Sequence, residues 1–244
     1  MDKFSLVMII LLLVILFMLG RNYTTDLTRR TYLIGVFLYI CFSIVYVAIG
    51  SDLTGKYLSD KMSQNWMLFL IPLFLVACVS VFIINNNPHI YITHIAFIVL
   101  LTALSFMAGP FVNYSTRQDL VWAAGITGSL ILVLTFILFY LPDDLLNRIS
   151  QLSGRLTWLL FCIIIIELVG AIFLRDNAIF RKILNYSVIM LFVLFIMADT
   201  SNLVLQCSDL PCDTHTCINY PSDSLNLFLD YFNIFLRALR LRRE

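Results

Sequence analysis

The stretch LNLFLDYFNIFLR, residues Leu225–Arg237, decides the fold. Most of it is Leu, Phe and Ile, yet Asn226, Asp230, Asn233 and Arg237 recur at i, i+4, i+7 and i+11, which lines them along one face of a helix. That face cannot meet lipid, because an acid at mid-bilayer costs at least about 2.5–3.5 kcal/mol. The apolar segment itself, Leu225–Leu236, reaches only about 18 Å as a helix at 1.5 Å per residue, short of the roughly 20 residues that cross a bilayer. It is therefore expected to lie inside a ring of longer helices, where its polar groups meet protein.

The run before it repeats the pattern. Asp199, Asn202 and Gln206 fall at i, i+3 and i+7, a second polar stripe whose natural partner is the first. If the two stripes face each other, two carboxylates approach in a low-dielectric interior and cannot easily both ionise. They would titrate as a coupled pair holding a shared proton or a cation. Carboxylates and amide carbonyls are hard oxygen ligands, which suits Ca²⁺ best among divalent ions, with Asn202, Asn226 and Asn233 as supporting donors. The alternative is a buried polar cluster that only fixes helix register.

Further outward, six apolar runs are bounded by charge: Thr31–Gly50, Trp66–Ile84, Ile90–Phe111, Leu120–Leu141, Leu156–Leu174 and Ile183–Leu205. Each is long enough to cross a bilayer. Phe4–Leu19 is a further, shorter run. It reads either as a retained helix or as a signal peptide, although Met18-Leu19-Gly20 is no small-x-small cleavage site. The loops are short, so the chain divides into residues 1–30, an N-terminal hydrophobic segment with its loop, and one membrane domain over residues 31–244. Two orientations stay open. If every segment crosses, the basic tail shares a side with Lys56, Lys61, Arg117, Arg175, Arg181 and Lys182; if the last segment enters and returns, the tail joins Arg21, Arg29, Arg30, Arg148 and Arg155. The sequons Asn22-Tyr23-Thr24 and Asn113-Tyr114-Ser115 lie on opposite sides in either arrangement.

Composition agrees with this map. Of 244 residues, 61% are hydrophobic and 13% charged, against about 45–50% and about 25% in soluble domains, and the mean hydropathy is +0.93. A soluble globular enzyme is excluded. A net charge of +1 without a basic run leaves no electrostatic footprint for nucleic acid.

Three smaller features remain. Glu167 is a third acid inside an apolar run, with no polar companion at i±3 or i±4, so it either carries function or pairs with another helix. Cys207, Cys212 and Cys217 have C-x₄-C-x₄-C spacing, unlike the C-x₂-C of a zinc site, so one disulfide and a spare thiol is the better reading if that loop is luminal. His94 is expected to be a satisfied polar contact within its span.

The stretches LFVLFIMADTSNL (Leu191–Leu203) and YPSDSLNLFLDYFNIFLRALR (Tyr220–Arg240) resemble the closing signature of the Bax inhibitor family, known also as the transmembrane Bax-inhibitor-motif family. That signature runs a sixth span into Asp-Thr and ends on a Tyr and a Leu-x-Leu-Asp-x-x-Asn-x-Phe-Leu helix followed by Leu-Arg. Asp199-Thr200, Tyr220, Leu227-Phe228-Leu229-Asp230, Asn233, Phe235-Leu236 and Arg237 or Arg240 match it. Upstream, Arg29-Arg30-Thr31-Tyr32 resembles the basic-Tyr start of the family's first span, and the Pro88 segment and Val121–Phe136 resemble its third and fourth spans in order. The resemblance implies an all-α, seven-helix membrane bundle with a central C-terminal helix, here with an extra N-terminal hydrophobic helix.

It also implies a function. Family members are similar in acting as pH-sensitive Ca²⁺ leak channels of intracellular membranes, endoplasmic reticulum or Golgi, that restrain cell death; Ca²⁺ is then the permeating ion and no cofactor is needed. The family's two-aspartate sensor falls on Asp199 and Asp230, the pair the stripes select. Three departures stand out: the segment Phe4–Leu19, the lengthened loop carrying the three cysteines, and a second core span, Asn65–Asn87, without the basic residue that pairs with the aspartates in the family pattern. The missing basic residue and the altered loop favour an alternative, a non-conducting membrane adaptor that binds cell-death regulators or other membrane proteins. An intramembrane aspartyl protease also uses two intramembrane aspartates, but it needs Tyr-Asp and Gly-x-Gly-Asp where this chain has Ala198-Asp199 and Leu229-Asp230. No enzyme is expected.

Overall fold

Backbone N–H and C=O groups find no partner in hydrocarbon, so each apolar run must close its own hydrogen bonds as a helix. The computed structural model describes residues 29–64, 66–87, 89–173, 177–206 and 219–243. They form α1 (Arg29–Gln64), α2 (Trp66–Asn86), α3 (Ile90–Asn113), α4 (Arg117–Phe139), the short α5 (Asp143–Ser150), α6 (Ser153–Phe173), α7 (Ala178–Gln206) and α8 (Tyr220–Arg243). Among the described residues there is no strand, and α1 to α4, α6 and α7 supply six spans long and apolar enough to cross a membrane. The chain is thus a polytopic helical membrane protein. The Phe4–Leu19 segment and Cys207, Cys212 and Cys217 lie outside the described residues.

The sequence sets most of the breaks locally. Between α2 and α3 the Asn87 side chain accepts the His89 N–H at 2.8 Å, ahead of the new helix. Between α3 and α4 a capping box forms: Thr116 Oγ1 accepts the Asp119 N–H at 3.2 Å and the Asp119 carboxylate accepts the Thr116 N–H at 3.3 Å. Pro142 caps α5.

One expected boundary fails. The first apolar run was bounded at Gly50, whereas α1 continues to Gln64. Gly50, Gly55 and Gly109 are contact points and not breaks: a Cβ on Gly55 would lie 2.9 Å from the Gly109 carbonyl oxygen, and one on Gly50 would lie 2.6 Å from Ser105 Oγ. Small residues let α1 and α3 approach closely along their length, the packing mode that membrane helices use where burial of apolar surface gives no net gain.

A larger correction concerns the last helix. Its apolar core reads as a dozen residues, but α8 runs for 24, about 36 Å at 1.5 Å per residue. Polar residues that end a lipid-facing span continue this one because protein receives them. At its start Tyr220 is buried, 4.8 Å from the Tyr32 ring and 5.9 Å from the Tyr39 ring between centroids. Beside it, Tyr32 Oη donates to the Asp223 carboxylate, and Ser222 Oγ donates to Asn85 Oδ1 at 3.0 Å. At its far end Arg242 Nε donates to Asp119 Oδ1 at 3.2 Å and stands 5.3 Å over the Trp122 ring. Helix α8 therefore crosses the bundle from the Tyr220 end to the Arg242 end. It packs on α1, α2, α3, α4 and α7, and Leu225, Leu227, Phe228 and Ile234 are essentially fully buried. The central C-terminal helix expected from the sequence is present.

Candidate functional site: the α7–α8 carboxylate pair

Helices α7 and α8, which carry the two polar stripes, lie side by side. Asp230 is 6% exposed, and its Oδ2 is buried with no hydrogen-bond partner among the described residues. Asp199 is half-buried on the neighbouring α7. Next to Asp199, Thr200 is fully buried, and its Oγ1 likewise has no partner among the described residues. An unpaired polar atom in such a place costs on the order of 1–3 kcal/mol, more when charged, so this is a site the fold maintains at a cost.

The supporting residues divide. Asn202 is half-buried on α7. Asn233 is half-buried and its Nδ2 donates to the Leu229 carbonyl at 2.9 Å, so Oδ1 is the atom it can offer a ligand. Asn226 is exposed and does not join the buried group. Spacing puts it on the stripe, but at that position α8 is exposed. Among the described residues no three His, Cys, Asp or Glu side chains gather into a metal cage.

Arg237 takes a different role from the one its spacing suggests. Its Nη1 and Nη2 donate to Glu167 Oε1 and Oε2 at 2.7 and 2.6 Å, and Nη1 also donates to Asn185 Oδ1 at 3.0 Å. Arg240 Nη1 stands 3.5 Å from Glu167 Oε1. This two-pronged geometry is the strong form of an ion pair. Glu167 therefore pairs with another helix, the structural one of its two readings. Helix α2 carries no Lys or Arg, so no basic residue of α2 faces the aspartates.

Asn185 is a residue that reading the sequence missed. It is 2% exposed and precedes Asp199 by 14 positions, close to four turns, hence on nearly the same face. That spacing was the available signal. The polar contacts at the Tyr220 end were partly foreseen: His94 Nδ1 shares a hydrogen bond with Tyr39 Oη at 2.7 Å, as a satisfied polar contact should.

Helix order, the central last helix and the Asp-Thr and Leu-x-Leu-Asp positions all coincide with a known pattern. The family model described as "Inhibitor of apoptosis-promoting Bax1" matches residues 29–243. The chain belongs to the Bax inhibitor family. No curated protein and no solved structure matches it. The family match opens where α1 opens and closes where α8 closes, so the Phe4–Leu19 segment falls outside it.

Proposed function

We propose that this Bax inhibitor family protein is a pH-sensitive Ca²⁺ leak channel of an intracellular membrane, endoplasmic reticulum or Golgi, that sets the level of stored Ca²⁺ and thereby restrains cell death. One observation carries the reading: a buried carboxylate oxygen on the central helix, Asp230 Oδ2, has no hydrogen-bond partner among the described residues, while α7, packed against that helix, carries a second, half-buried acid, Asp199. Two acids so disposed hold either a proton or a cation between them. A permeating Ca²⁺ binds hard oxygens and must leave again, which a two-carboxylate site with Asn202 and Asn233 oxygens allows better than a closed cage. Proton and Ca²⁺ compete for the same atoms, so flux depends on pH.

The test is Ca²⁺ efflux from liposomes holding the purified full chain, across about pH 5–8 where a coupled pair can titrate, beside Asp199→Asn and Asp230→Asn. Flux that varies with pH in the parent and is lost or pH-independent in both variants supports the channel. Absence of flux above empty liposomes, with the protein folded, overturns it. The adaptor reading then takes its place, for which α6 offers the surface: it packs on α7 and turns Trp158, Phe161, Leu168 and Phe173 outward. Capture of defined membrane partners, weakened by changes on that face, would be its measurement.

A further inference from the structure

A cavity of about 550 Å³ lies between α1, α3, α4 and α8. Its floor is the aromatic face of α8, formed by Phe228, Tyr231, Phe232 and Phe235, and aliphatic side chains such as Val47 and Val112 wall it. At about 100° per residue these four aromatics sit on the side of α8 opposite Asp230, Asn233 and Arg237, and neither Asp199 nor Asp230 lines the cavity. It is a second site, separate from the carboxylate pair. Apart from Tyr231, its polar lining residues are Ser51, Asp52, Asn113 and Ser115, which belong to the Arg242 end of α1 and α3. From Asp52 down to Ile44 is two turns of α1, about 12 Å, against roughly 30 Å of hydrocarbon. The cavity therefore belongs to one leaflet, with its mouth at the Arg242 end where headgroups lie.

We propose that this cavity binds one acyl chain of a phosphoethanolamine-headed membrane lipid, the chain over the aromatic face of α8 and the head at Asp52. The apolar body gives water too few polar partners, and its volume falls in the range of about 300–1,000 Å³ that holds a single small ligand. In a bilayer the apolar material available to fill its body is acyl chain. The polar end supplies the headgroup chemistry. Asp52 pairs with Lys56 one turn on at 2.6 Å, with both side chains more than half exposed, 53% and 62%. Such an exposed pair is weak, so a zwitterionic head can exchange into it. Opened, it presents a carboxylate and an ammonium side by side, the complement of a zwitterion. A primary ammonium donates hydrogen bonds to Asp52 that a quaternary choline has no N–H to make, and the Asn113 amide and Ser115 hydroxyl border the same space.

The experiment uses the full chain in phosphatidylcholine nanodiscs with a trace of phosphatidylethanolamine carrying a diazirine in mid-chain. After irradiation, label is expected on the α8 peptide containing Phe228–Phe235, and unlabelled phosphatidylethanolamine should displace it about fivefold more effectively than added phosphatidylcholine, a ratio of the size an exposed charge-assisted contact gives. Ala48→Phe and Ala124→Phe, which fill the cavity, should each cut α8 label about tenfold, equivalent to about 1.4 kcal/mol. Label on the lipid-facing α6 serves as the control for folding and insertion. Asp52→Asn, at an exposed position, should remove the headgroup preference and keep the chain label. An unlabelled α8 beside a labelled α6, α8 label indifferent to both filling substitutions, or equal displacement by the two lipids overturns the proposal. None of these readouts involves ion flux, so they stand or fall apart from the channel reading.

Discussion

At Arg237 one guanidinium ties α8 to both α6 and α7, and this separates two acids that look alike in the sequence. Glu167 and Asp230 each interrupt an apolar run, but Glu167 receives two charge-assisted hydrogen bonds and Asp230 keeps a bare oxygen among the described residues. A buried acid with its countercharge holds structure; a buried acid without one is the kind retained for a ligand or proton. Losing one partner of the Glu167–Arg237 bridge should cost about 1–3 kcal/mol, less than for a fully enclosed pair because its side chains are 30% and 19% exposed. Glu167→Gln is expected to be the worse change, since it leaves Arg237 and Arg240 adjacent without an anion. After Arg237→Gln, Arg240 still stands 3.5 Å from the carboxylate. A thermal-unfolding double-mutant cycle in detergent should give a coupling of about 1–2 kcal/mol. A coupling near zero would mean that solvent screens the bridge and that the pairing does not hold α8 in place.

At the scale of the helices, glycine spacing separates packing from tolerance. Gly55 meets the Gly109 backbone, which cannot move aside, so Gly55→Val should reduce folded yield and cost about 1–3 kcal/mol by overpacking. Gly125 and Gly128 on α4 have nothing within 4 Å of an added Cβ, and there Gly→Ala should be neutral or stabilising by up to about 1 kcal/mol through helix propensity alone. Size-exclusion yield and melting temperature of the three variants check the contrast. The same physics explains what could be read in advance. Six spans were legible because hydropathy is local. The length of α8 was not, since Asp223 and Arg242 would lie beyond a span in lipid and here fall in the first and last turns of the helix because Tyr32 and Asp119 receive them. Nor was the Glu167 partner, because periodicity along one helix says nothing about which other helix, 70 residues away, stands opposite. Asn226 erred the other way: its spacing was right, but no spacing reveals that the position is exposed.

Across the whole molecule, a last helix that runs end to end decides which charges share a side. Lys56, Lys61, Arg117, Arg181, Lys182, Arg240, Arg242 and Arg243 belong to the Arg242 end, while Arg29, Arg30, Arg148 and Arg155 belong to the Tyr220 end, where Leu138 and Leu146 pack on Val204 beside α5. The excess of Lys and Arg in short loops faces the cytosol, so the Arg242 end is expected there. The Asn113 sequon is then cytosolic and escapes glycosylation, the cavity mouth at Asp52 opens on the cytosolic leaflet, and α5 is luminal. Gln118 and Asn147 are both exposed, at opposite ends. With the native cysteines replaced, Gln118→Cys in sealed, right-side-out microsomes should react with an impermeant maleimide at once, and Asn147→Cys only after permeabilisation. The reverse pattern would put the basic end in the lumen, against the charge rule, and would move the lipid cavity to the opposite leaflet.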